Sequence, residues 1–556
     1  TQGVSSAASD VYKRQIYSLA IAASMLTFNS CIGDLDTVPL NETDKNAGQA
    51  YQTLEDFEMG LAYIYGAYSL ASQNDPGKAD IAVDDAGQSE LVRQYMVLNE
   101  MSVDALKCTW GDSYIVELQN NSWSATPNAS TLAVYTRCMM VVTRANEFLK
   151  QSNATSMEGL AQLRAEARFL RAFAYYLLMD LYGNPPFAME ENVAGALPSQ
   201  IGRKALFEWI EGELKDLLEG SDLPAVGAVP YPRVTKGAAQ ATLARMYLNA
   251  EVYTGTARWQ DALDAAEATI KMGYDLCPNY EELFMQDNSE NDNARKEFIF
   301  AIAYDRDNSQ SWGGTTHLVS ASLSSEANSA IAKELGYPGA RVARENWNGY
   351  HVPNEYVEFF ELKGVTWGGT SGFGYDRANS DKRAFFYNIG GTKEYSNSDI
   401  NSGWRCWKFT SRDSKGNLFS GDEFSKLSSA DFPIIRLAEM YLIYAEAKAR
   451  LDGGTTTDTK ALGYIKELRE RAGVSVPTSI DTEFILKERA RELMWEGHRR
   501  TDLIRYGYFT SVSFPWPYKG GVPDGKVSLG QHLTVYPILN TDLTENPNLV
   551  QNEGYK

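Results

Sequence analysis

GLAQLRAEARFLRAFAYYLLMDLY, residues 159–182, decides the fold class of this chain. Apolar residues recur in it at intervals of three and four: Ala165, Phe169, Ala172, Tyr176 and Met179. That spacing places them on one stripe of an amphipathic helix. The helix is predicted to stop at Gly183-Asn184-Pro185-Pro186, because glycine commonly closes a helix and proline cannot continue one.

A helix pair is predicted at 235–272, where small residues alternate with aromatic ones, such as Ala244 with Tyr247 and Trp259 with Ala262. Small residues let two antiparallel helices approach closely. The pattern is similar to a degenerate tetratricopeptide repeat, whose period is about 34 residues. Residues 131–182 indicate another pair, and helices return at 434–451, 458–472 and 481–506. We therefore predict a mainly α fold, a tetratricopeptide-like helical repeat scaffold with a loop-rich aromatic insertion.

That insertion is predicted at 275–430, where helical periodicity fades and Gly, Asn, Ser and Asp become frequent. Its segments include SWGGTTH (311–317), ENWNGYHVPNEY (345–356) and GVTWGGTSGFGYD (364–376). It holds five of the 11 tryptophans in well under a third of the chain. Loops on a rigid scaffold commonly carry function, so we expect the ligand site here.

The N-terminal segment has the pattern of a lipoprotein signal. Lys13 and Arg14 precede an apolar run, 16–28, which ends in Asn29-Ser30-Cys31. The run is shorter than the roughly 20 residues that span a bilayer, and a charged flank before it is typical of a signal peptide. We predict a signal peptide at 1–30, lipidation of Cys31 and a tether at 31–50. The alternative is a buried helix with an incidental cysteine. Residues 1–12 lack methionine and are expected to be a non-native leader.

Composition narrows the class of ligand. The net charge of −20 argues against nucleic acid and against direct adhesion to anionic lipid, since both need clustered Lys and Arg. The aromatic fraction is 12%, with 32 Tyr and 11 Trp. Tyr and Trp combine an apolar face with a polar group, which suits the stacking of sugar rings.

Neither a metal site nor a cofactor is predicted. The cysteines after Cys31 are widely spaced, without a CxxC: Cys108, Cys138, Cys277 and Cys406. This spacing argues against a zinc site, whereas one or two disulfides stay open for an exported protein. The histidines are scattered and each is expected to be a surface or packing residue: His317, His351, His498 and His532. Asp/Asn-rich loops can hold Ca²⁺ without a readable motif, so bound calcium stays an open alternative.

Glu488, Glu492 and Glu496 lie four residues apart and are candidates for an active site. Most glycosidases place two carboxylates around the scissile bond. Here arginines alternate with the glutamates, which favours a salt-bridged helix face. The sequence has no zinc-protease motif or nucleophile elbow. The prediction is a protein without enzymatic activity.

Exposed tryptophans beside planar polar groups are the residues that a sugar site needs. Trp312, and Trp347 with Tyr350, meet this condition within the insertion, and Trp367 is a further candidate because it lies among glycines and is expected to be exposed on a loop. Other tryptophans are expected to pack in the core or on helix faces: Trp209, Trp259, Trp407 and Trp495.

Four stretches resemble the SusD/RagB outer-membrane lipoproteins of Bacteroidetes: CIGDLDTVP (31–39), AEARFLRAFAYYLLMDLYGNPPF (165–187), ADFPIIRLAEMYLIYAEA (430–447) with IKELRERAGV (465–474), and ERARELMWEGHRRTDLIRYG (488–507). YPI and NPNLVQNEGY follow near the C-terminus. The resemblance spans nearly the whole mature chain, and it is weakest in the insertion.

The resemblance implies a surface-exposed, lipid-anchored outer-membrane protein that captures oligosaccharides and passes them to a SusC-like TonB-dependent transporter. It adds Arg93 and Trp110 to the candidate ligand-binding residues, and at least two of the four candidate tryptophans are expected to line one site. The implied parts are an N-terminal helical part at 51–274, the insertion at 275–430 and a C-terminal part at 431–556. Peptide capture of the RagB type, a surface glycosidase and a pure scaffold remain alternatives.

Overall fold

The computed structural model describes residues 50–73, 75–192, 195–339, 341–367, 369, 371–388, 390, 395–418 and 426–556. The predicted signal peptide, Cys31 and residues 32–49 of the tether lie outside this part of the chain. Two units are distinguished, residues 1–56 and residues 57–556. The features below belong to the second unit, except for the first turn of helix α1.

The N-terminal half is helical, as the sequence predicts. Its helices are α1 (Leu54–Ser69), α2 (Leu91–Glu100), α3 (Ser113–Gln119), α4 (Ala129–Asn153), α5 (Leu160–Tyr182), α6 (Arg203–Glu219), α7 (Lys236–Leu248), α8 (Ala250–Thr254) and α9 (Trp259–Ile270). The predicted helix at 159–182 is α5. It ends at Gly183, whose φ of +74° suits a residue without a side chain.

The remaining helices are short in the insertion, longer again between residues 437 and 492, and short from residue 499 onward. They are α10 (Asp292–Glu297), α11 (Gly314–Ser320), α12 (Ser325–Glu334), α13 (Asn354–Val357), α14 (Leu437–Leu451), α15 (Thr459–Ala472), α16 (Thr482–Glu492), α17 (Arg499–Arg505) and α18 (Asn540–Glu545). None of the described helices has the length and apolar composition needed to cross a membrane.

Consecutive helices pack side by side, which is the arrangement of a helical repeat. Helix α4 packs on α5, α5 on α6, α6 on α7 and α7 on α9. Helix α14 then packs on α9 and also on α15 and α16. The C-terminal helices therefore extend the stack begun by the N-terminal ones, and the mainly α, repeat-based fold is confirmed.

Short antiparallel ladders join distant segments within the described residues. The strands are β1 (Lys107–Cys108), β2 (Pro186–Phe187), β3 (Ser199–Gln200), β4 (Phe298–Ile302), β5 (Tyr350–His351), β6 (Phe386–Asn388), β7 (Trp404–Cys406), β8 (Phe432–Arg436), β9 (Thr455–Thr456) and β10 (Ile480–Asp481). The pairs are β1–β5, β2–β3, β4–β8, β6–β7 and β9–β10. The β1–β5 pair matters most for the site, because it places Cys108 opposite Tyr350.

The single helix predicted at 481–506 is wrong, because the chain breaks between α16 and α17. Its start is right: the Asp481 carboxylate accepts the N–H of Phe484 at 2.7 Å. Helix α16 then ends at Glu492, and Trp495 and Gly497 adopt φ values of +58° and +81°. Such left-handed conformations cannot continue an α-helix.

The break has its cause on α2, about 400 residues away in sequence. Glu100 accepts the N–H groups of Gly497 and His498 at 2.8 and 3.1 Å. A Cβ on Gly497 would lie 2.3 Å from a ring carbon of Tyr95. The turn therefore needs glycine at position 497. The buried side chain of Glu100 fixes its backbone through two hydrogen bonds.

The glutamate face of α16 is salt-bridged as predicted, and it is buried. Glu488 accepts hydrogen bonds from Arg383, Arg469 and Arg491 at 2.6–2.7 Å. Burial acts to raise the pKa of Glu488, yet these three arginines outweigh it and lower that pKa to about 2. Arg383 comes from the insertion, 105 residues before Glu488, so this pair ties the insertion to the C-terminal helices.

Glu492 and Glu496 extend the same buried cluster. Arg436 donates to both of them, at 2.7 Å in each case. Lys408 donates to Glu496 at 2.7 Å. Each of the three glutamates is therefore paired with at least one Arg or Lys side chain.

The cysteine and tryptophan predictions have clear outcomes. Cys108, Cys138, Cys277 and Cys406 are buried free thiols, so none of the disulfides left open above is formed. Trp407 and Trp495 are core residues, each 1% exposed. Trp209 packs on Tyr175, and Arg450 stacks on Trp259. These four side chains are packing residues, as predicted.

Candidate functional site

Three half-buried tryptophans from distant parts of the sequence converge on one surface. The rings of Trp312 and Trp347 have centroids 6.5 Å apart and are inclined by 37°. The indole N–H of Trp110 donates to the backbone oxygen of Trp347 at 3.3 Å. We call Trp110, Trp312 and Trp347 the aromatic platform.

Two buried rings, Tyr350 and His317, form the floor beneath the platform. Tyr350 lies 5.4 Å from the Trp110 ring, and the Tyr350 hydroxyl is 2.7 Å from Nε2 of His317. Both residues are 0% exposed. The predicted site residue Tyr350 is therefore placed under the platform, where it supports the indoles.

The β1–β5 ladder explains how Trp110 meets the insertion. Trp110 follows β1, and Thr109 donates its N–H to the Gly349 oxygen at 3.0 Å. The same segment is fastened to the end of α11, where Trp347 donates to Ser320 O at 2.8 Å and Tyr350 to Ala321 O at 2.9 Å. Backbone hydrogen bonds therefore fix two platform indoles relative to each other.

Glu90, the N-cap of α2, fastens the segment that follows Trp312. Its carboxylate accepts the N–H groups of Arg93 and Gly314, each at 2.7 Å, and the Tyr304 hydroxyl. Burial raises the pKa of Glu90 above its ordinary value, while these hydrogen bonds oppose that effect. The loop that carries Trp312 is thus joined to the N-terminus of α2.

Arg93 lies beside Trp312 but is nearly enclosed. Its side chain is 5% exposed and pairs with Asp85 at 2.6 Å. A Cβ on Gly87 would lie 2.6 Å from the Arg93 guanidinium and 2.8 Å from the Trp312 oxygen, so the two residues meet across a glycine. A direct contact between Arg93 and a ligand stays a prediction.

Trp367 is placed against the scaffold of the insertion. Its ring stands edge-on to Trp404, with centroids 5.8 Å apart. Trp404 is buried and donates its indole N–H to Asn354 at 2.7 Å. The described contacts bring Trp110, Trp312, Trp347 and Tyr350 together, whereas a role for Trp367 in the site stays a prediction.

Polar side chains lie next to the platform indoles in sequence. Asp112 is exposed, two residues after Trp110, and Asn346 and Asn348 flank Trp347. Asn348 has a φ of +53°, a conformation that asparagine tolerates better than most residues. In the part of the chain that the structure describes, no group of three or more His, Cys, Asp or Glu side chains could hold a metal ion.

Such an arrangement is suited to binding through stacking. An indole offers a flat apolar face, and neighbouring amides and carboxylates can accept or donate hydrogen bonds. His317 is a buried packing residue, one of the two predicted alternatives, but its place beneath the platform was not predicted. Its position five residues after Trp312 was the available signal.

The substitution Gly349→Ala should disturb the platform without unfolding the protein. A Cβ at this position would lie 2.1 Å from the Trp110 indole, so the indole must move outward. We expect acrylamide to quench tryptophan fluorescence more strongly in the variant. The control is Gly111→Ala, because a Cβ at Gly111 meets nothing within 4 Å. Equal quenching of both variants and the wild type would contradict this packing.

Two family models match the chain. The model described as "Starch-binding associating with outer membrane" matches residues 77–248. The model described as "SusD family" matches residues 362–555. The matched regions include Arg93 and Trp110 in the first case and the α14–α17 region in the second.

Solved structures share the fold. The surface glycan-binding protein A from Bacteroides thetaiotaomicron, in complex with laminarihexaose, has a TM-score of 0.66 at 21% identity and covers 90% of this chain and 100% of its own. A SusD superfamily protein from Parabacteroides distasonis has a TM-score of 0.65 at 19% identity, with the same coverage of both chains. At these identities the likeness concerns the fold alone.

Sequence similarity to curated proteins extends over about two thirds of the chain or more in the following cases. The chain is 25% identical to a SusD-like protein of Bacteroides ovatus over 66% of its own length and 64% of that protein. It is 33% identical to the starch-binding protein SusD of Bacteroides thetaiotaomicron over 98% of its own length and 99% of that protein. This identity along the whole chain, together with both family models, shows that the chain belongs to the SusD family.

Proposed function

We propose that this protein binds oligosaccharides at the bacterial cell surface through the aromatic platform. The observation that carries the proposal is the convergence of three half-buried indoles on one buried floor. A sugar ring has a face of C–H groups that can pack on an indole, while its hydroxyls need polar neighbours. The platform and its flanking Asn and Asp residues supply both.

The proposed ligand is an α-linked glucan of the starch type. Its first support is the 33% identity to a protein named for starch binding. Its second support is the 37° inclination between the rings of Trp312 and Trp347. Inclined faces suit a chain whose successive sugar rings turn, as they do in a coiled α-glucan, better than a flat β-linked ribbon.

The proposal also includes a lipid anchor for the protein and delivery of the bound oligosaccharide to a transporter. The cationic flank, the short apolar run and Cys31 support a lipid-anchored protein at the cell surface. The family resemblance supports delivery of the captured oligosaccharide to a SusC-like TonB-dependent transporter. In this account residues 275–430 supply most of the platform, and Trp110 is contributed by the preceding helical part.

Binding without bond cleavage is part of the proposal. A glycosidase needs a protonated carboxylic acid and a second carboxylate around the sugar. Glu488, Glu492 and Glu496 are buried and paired with cations. With a pKa of about 2, Glu488 is ionised at neutral pH and cannot act as a general acid.

Calorimetric titration with maltoheptaose, laminarihexaose and cellohexaose tests this proposal. We expect saturable binding of maltoheptaose, weaker binding of the β-linked glycans and no new reducing ends after long incubation. Absence of binding to every glycan by a folded protein would contradict the proposal. Capture of peptides instead would favour the RagB-type alternative, and new reducing ends would favour a glycosidase.

A further inference from the structure

The imidazole ring of His317 lies between two platform indoles and contacts both, Trp110 and Trp347. Its centroid lies 6.1 Å from the Trp110 ring and 5.5 Å from the Trp347 ring. It also lies 5.1 Å from the Tyr350 ring, at an interplanar angle of 71°. One fully buried side chain therefore contacts both indoles and the tyrosine of the floor.

We propose that His317 is the positioning residue of the platform, which sets the separation and inclination of Trp110 and Trp347 and so selects the shape of glycan that fits. This inference rests on the proposed function. The imidazole acts as a flat spacer: a larger ring would push the indoles apart, and a flexible chain would let them collapse. His317 itself, at 0% exposure, acts on the ligand through the indoles.

The backbone holds the spacer in a fixed place. His317 lies on α11 and donates its N–H to Gly313 O, while Ala321 donates to His317 O. The oxygen of the same Ala321 accepts the N–H of Tyr350 at 2.9 Å. The ring that spaces the indoles and the segment that carries Trp347 and Tyr350 are therefore fastened to the same helix end.

One of the two ring nitrogens of His317 has a polar partner among the described residues. Nε2 is 2.7 Å from the Tyr350 hydroxyl, and Nδ1 finds no partner among the described residues. Burial, with the nearby positive charge of Arg93, lowers the pKa of His317 well below its ordinary value. A neutral imidazole can pack on indoles, whereas a charged one would need a partner for both N–H groups.

Two substitutions separate the contribution of the aromatic ring of His317 from that of its hydrogen bond to Tyr350. His317→Phe keeps an aromatic ring and removes the bond to Tyr350, whereas His317→Gln keeps a polar atom and removes the ring. We expect both variants to change the indole bands of the near-UV circular dichroism spectrum without ligand. We also expect maltoheptaose affinity to fall about tenfold and the preference for maltoheptaose over laminarihexaose to shrink.

The control is His532→Phe, a half-buried histidine whose ring contacts Tyr555 at 5.1 Å. Its near-UV spectrum and its glycan preference should match those of the wild type. Wild-type spectra and unchanged glycan preference in both His317 variants would overturn the inference. If the wild type binds no glycan, the proposed function fails, and the ligand-free spectra still decide whether His317 positions the indoles.

Discussion

The double substitution Trp312→Ala/Trp347→Ala is expected to weaken maltoheptaose binding at least about a hundredfold, which corresponds to roughly 2.8 kcal/mol. These indoles form the inclined pair of the platform, with centroids 6.5 Å apart. Removing both takes away the apolar faces on which the sugar rings are proposed to stack. Isothermal titration calorimetry of the wild type and the variant measures the change directly.

Trp259→Ala is the matched control for this prediction. Trp259 is also half-buried, but it lies on the scaffold helix α9 and is covered by Arg450 at 4.6 Å. Its loss should leave maltoheptaose affinity unchanged. If the double variant retains wild-type affinity, the platform is not the binding site. If the control loses affinity as well, the effect comes from the scaffold and not from the platform.

The substitution Glu488→Gln is expected to lower the free energy of unfolding by about 3–5 kcal/mol, the range for removing one partner of a buried ion pair. Glu488 is 0% exposed and compensates Arg383, Arg469 and Arg491. A neutral amide leaves these buried guanidinium groups without their shared counter-charge. Chemical denaturation at pH 7 measures the loss.

The pH dependence of stability provides a second readout of the same pair. The pKa of Glu488 is lowered in the folded protein to about 2, from 4.5 as the reference value. Its contribution is therefore present above pH 4.5 and is lost as the pH falls through about 2. The wild type should lose its stability advantage over Glu488→Gln across this acid range.

Glu470→Gln is the control for the buried pair. Glu470 and Lys466 are 3.6 Å apart and each is 58% exposed, so their pair should contribute less than about 1 kcal/mol. A loss for Glu488→Gln no larger than that of this control would contradict the view that the buried cluster stabilises the fold.

The sequence was sufficient where structure depends on local pattern. Helix α5 was predicted within one residue at its start, because its apolar stripe and its Gly-Asn-Pro-Pro terminator are both local. The turn between α16 and α17 could not be predicted in this way. It depends on Glu100 and Tyr95, which contact Gly497 from α2. The spacing of apolar residues in 481–506 gives no information about a contact with so distant a segment.

The candidate site shows the same division. Trp312 and Trp347 could be proposed from their Asn- and Gly-rich neighbours. The burial of Tyr350 could not, because the β1–β5 ladder and His317 cover it from different parts of the chain. Arg93 was suggested by family resemblance, and its enclosure beside Asp85 follows from the fold of the α2 N-terminus.

The most direct test of the central claim is a crystal structure of the protein with bound maltoheptaose. We expect glucose rings stacked on Trp312 and Trp347, with Trp110 at the same surface and His317 unmoved beneath it. Maltoheptaose bound elsewhere, for example in the 540 Å³ crevice that Arg164, Arg168 and Glu213 line between α5 and α6, with the platform bare, would contradict it.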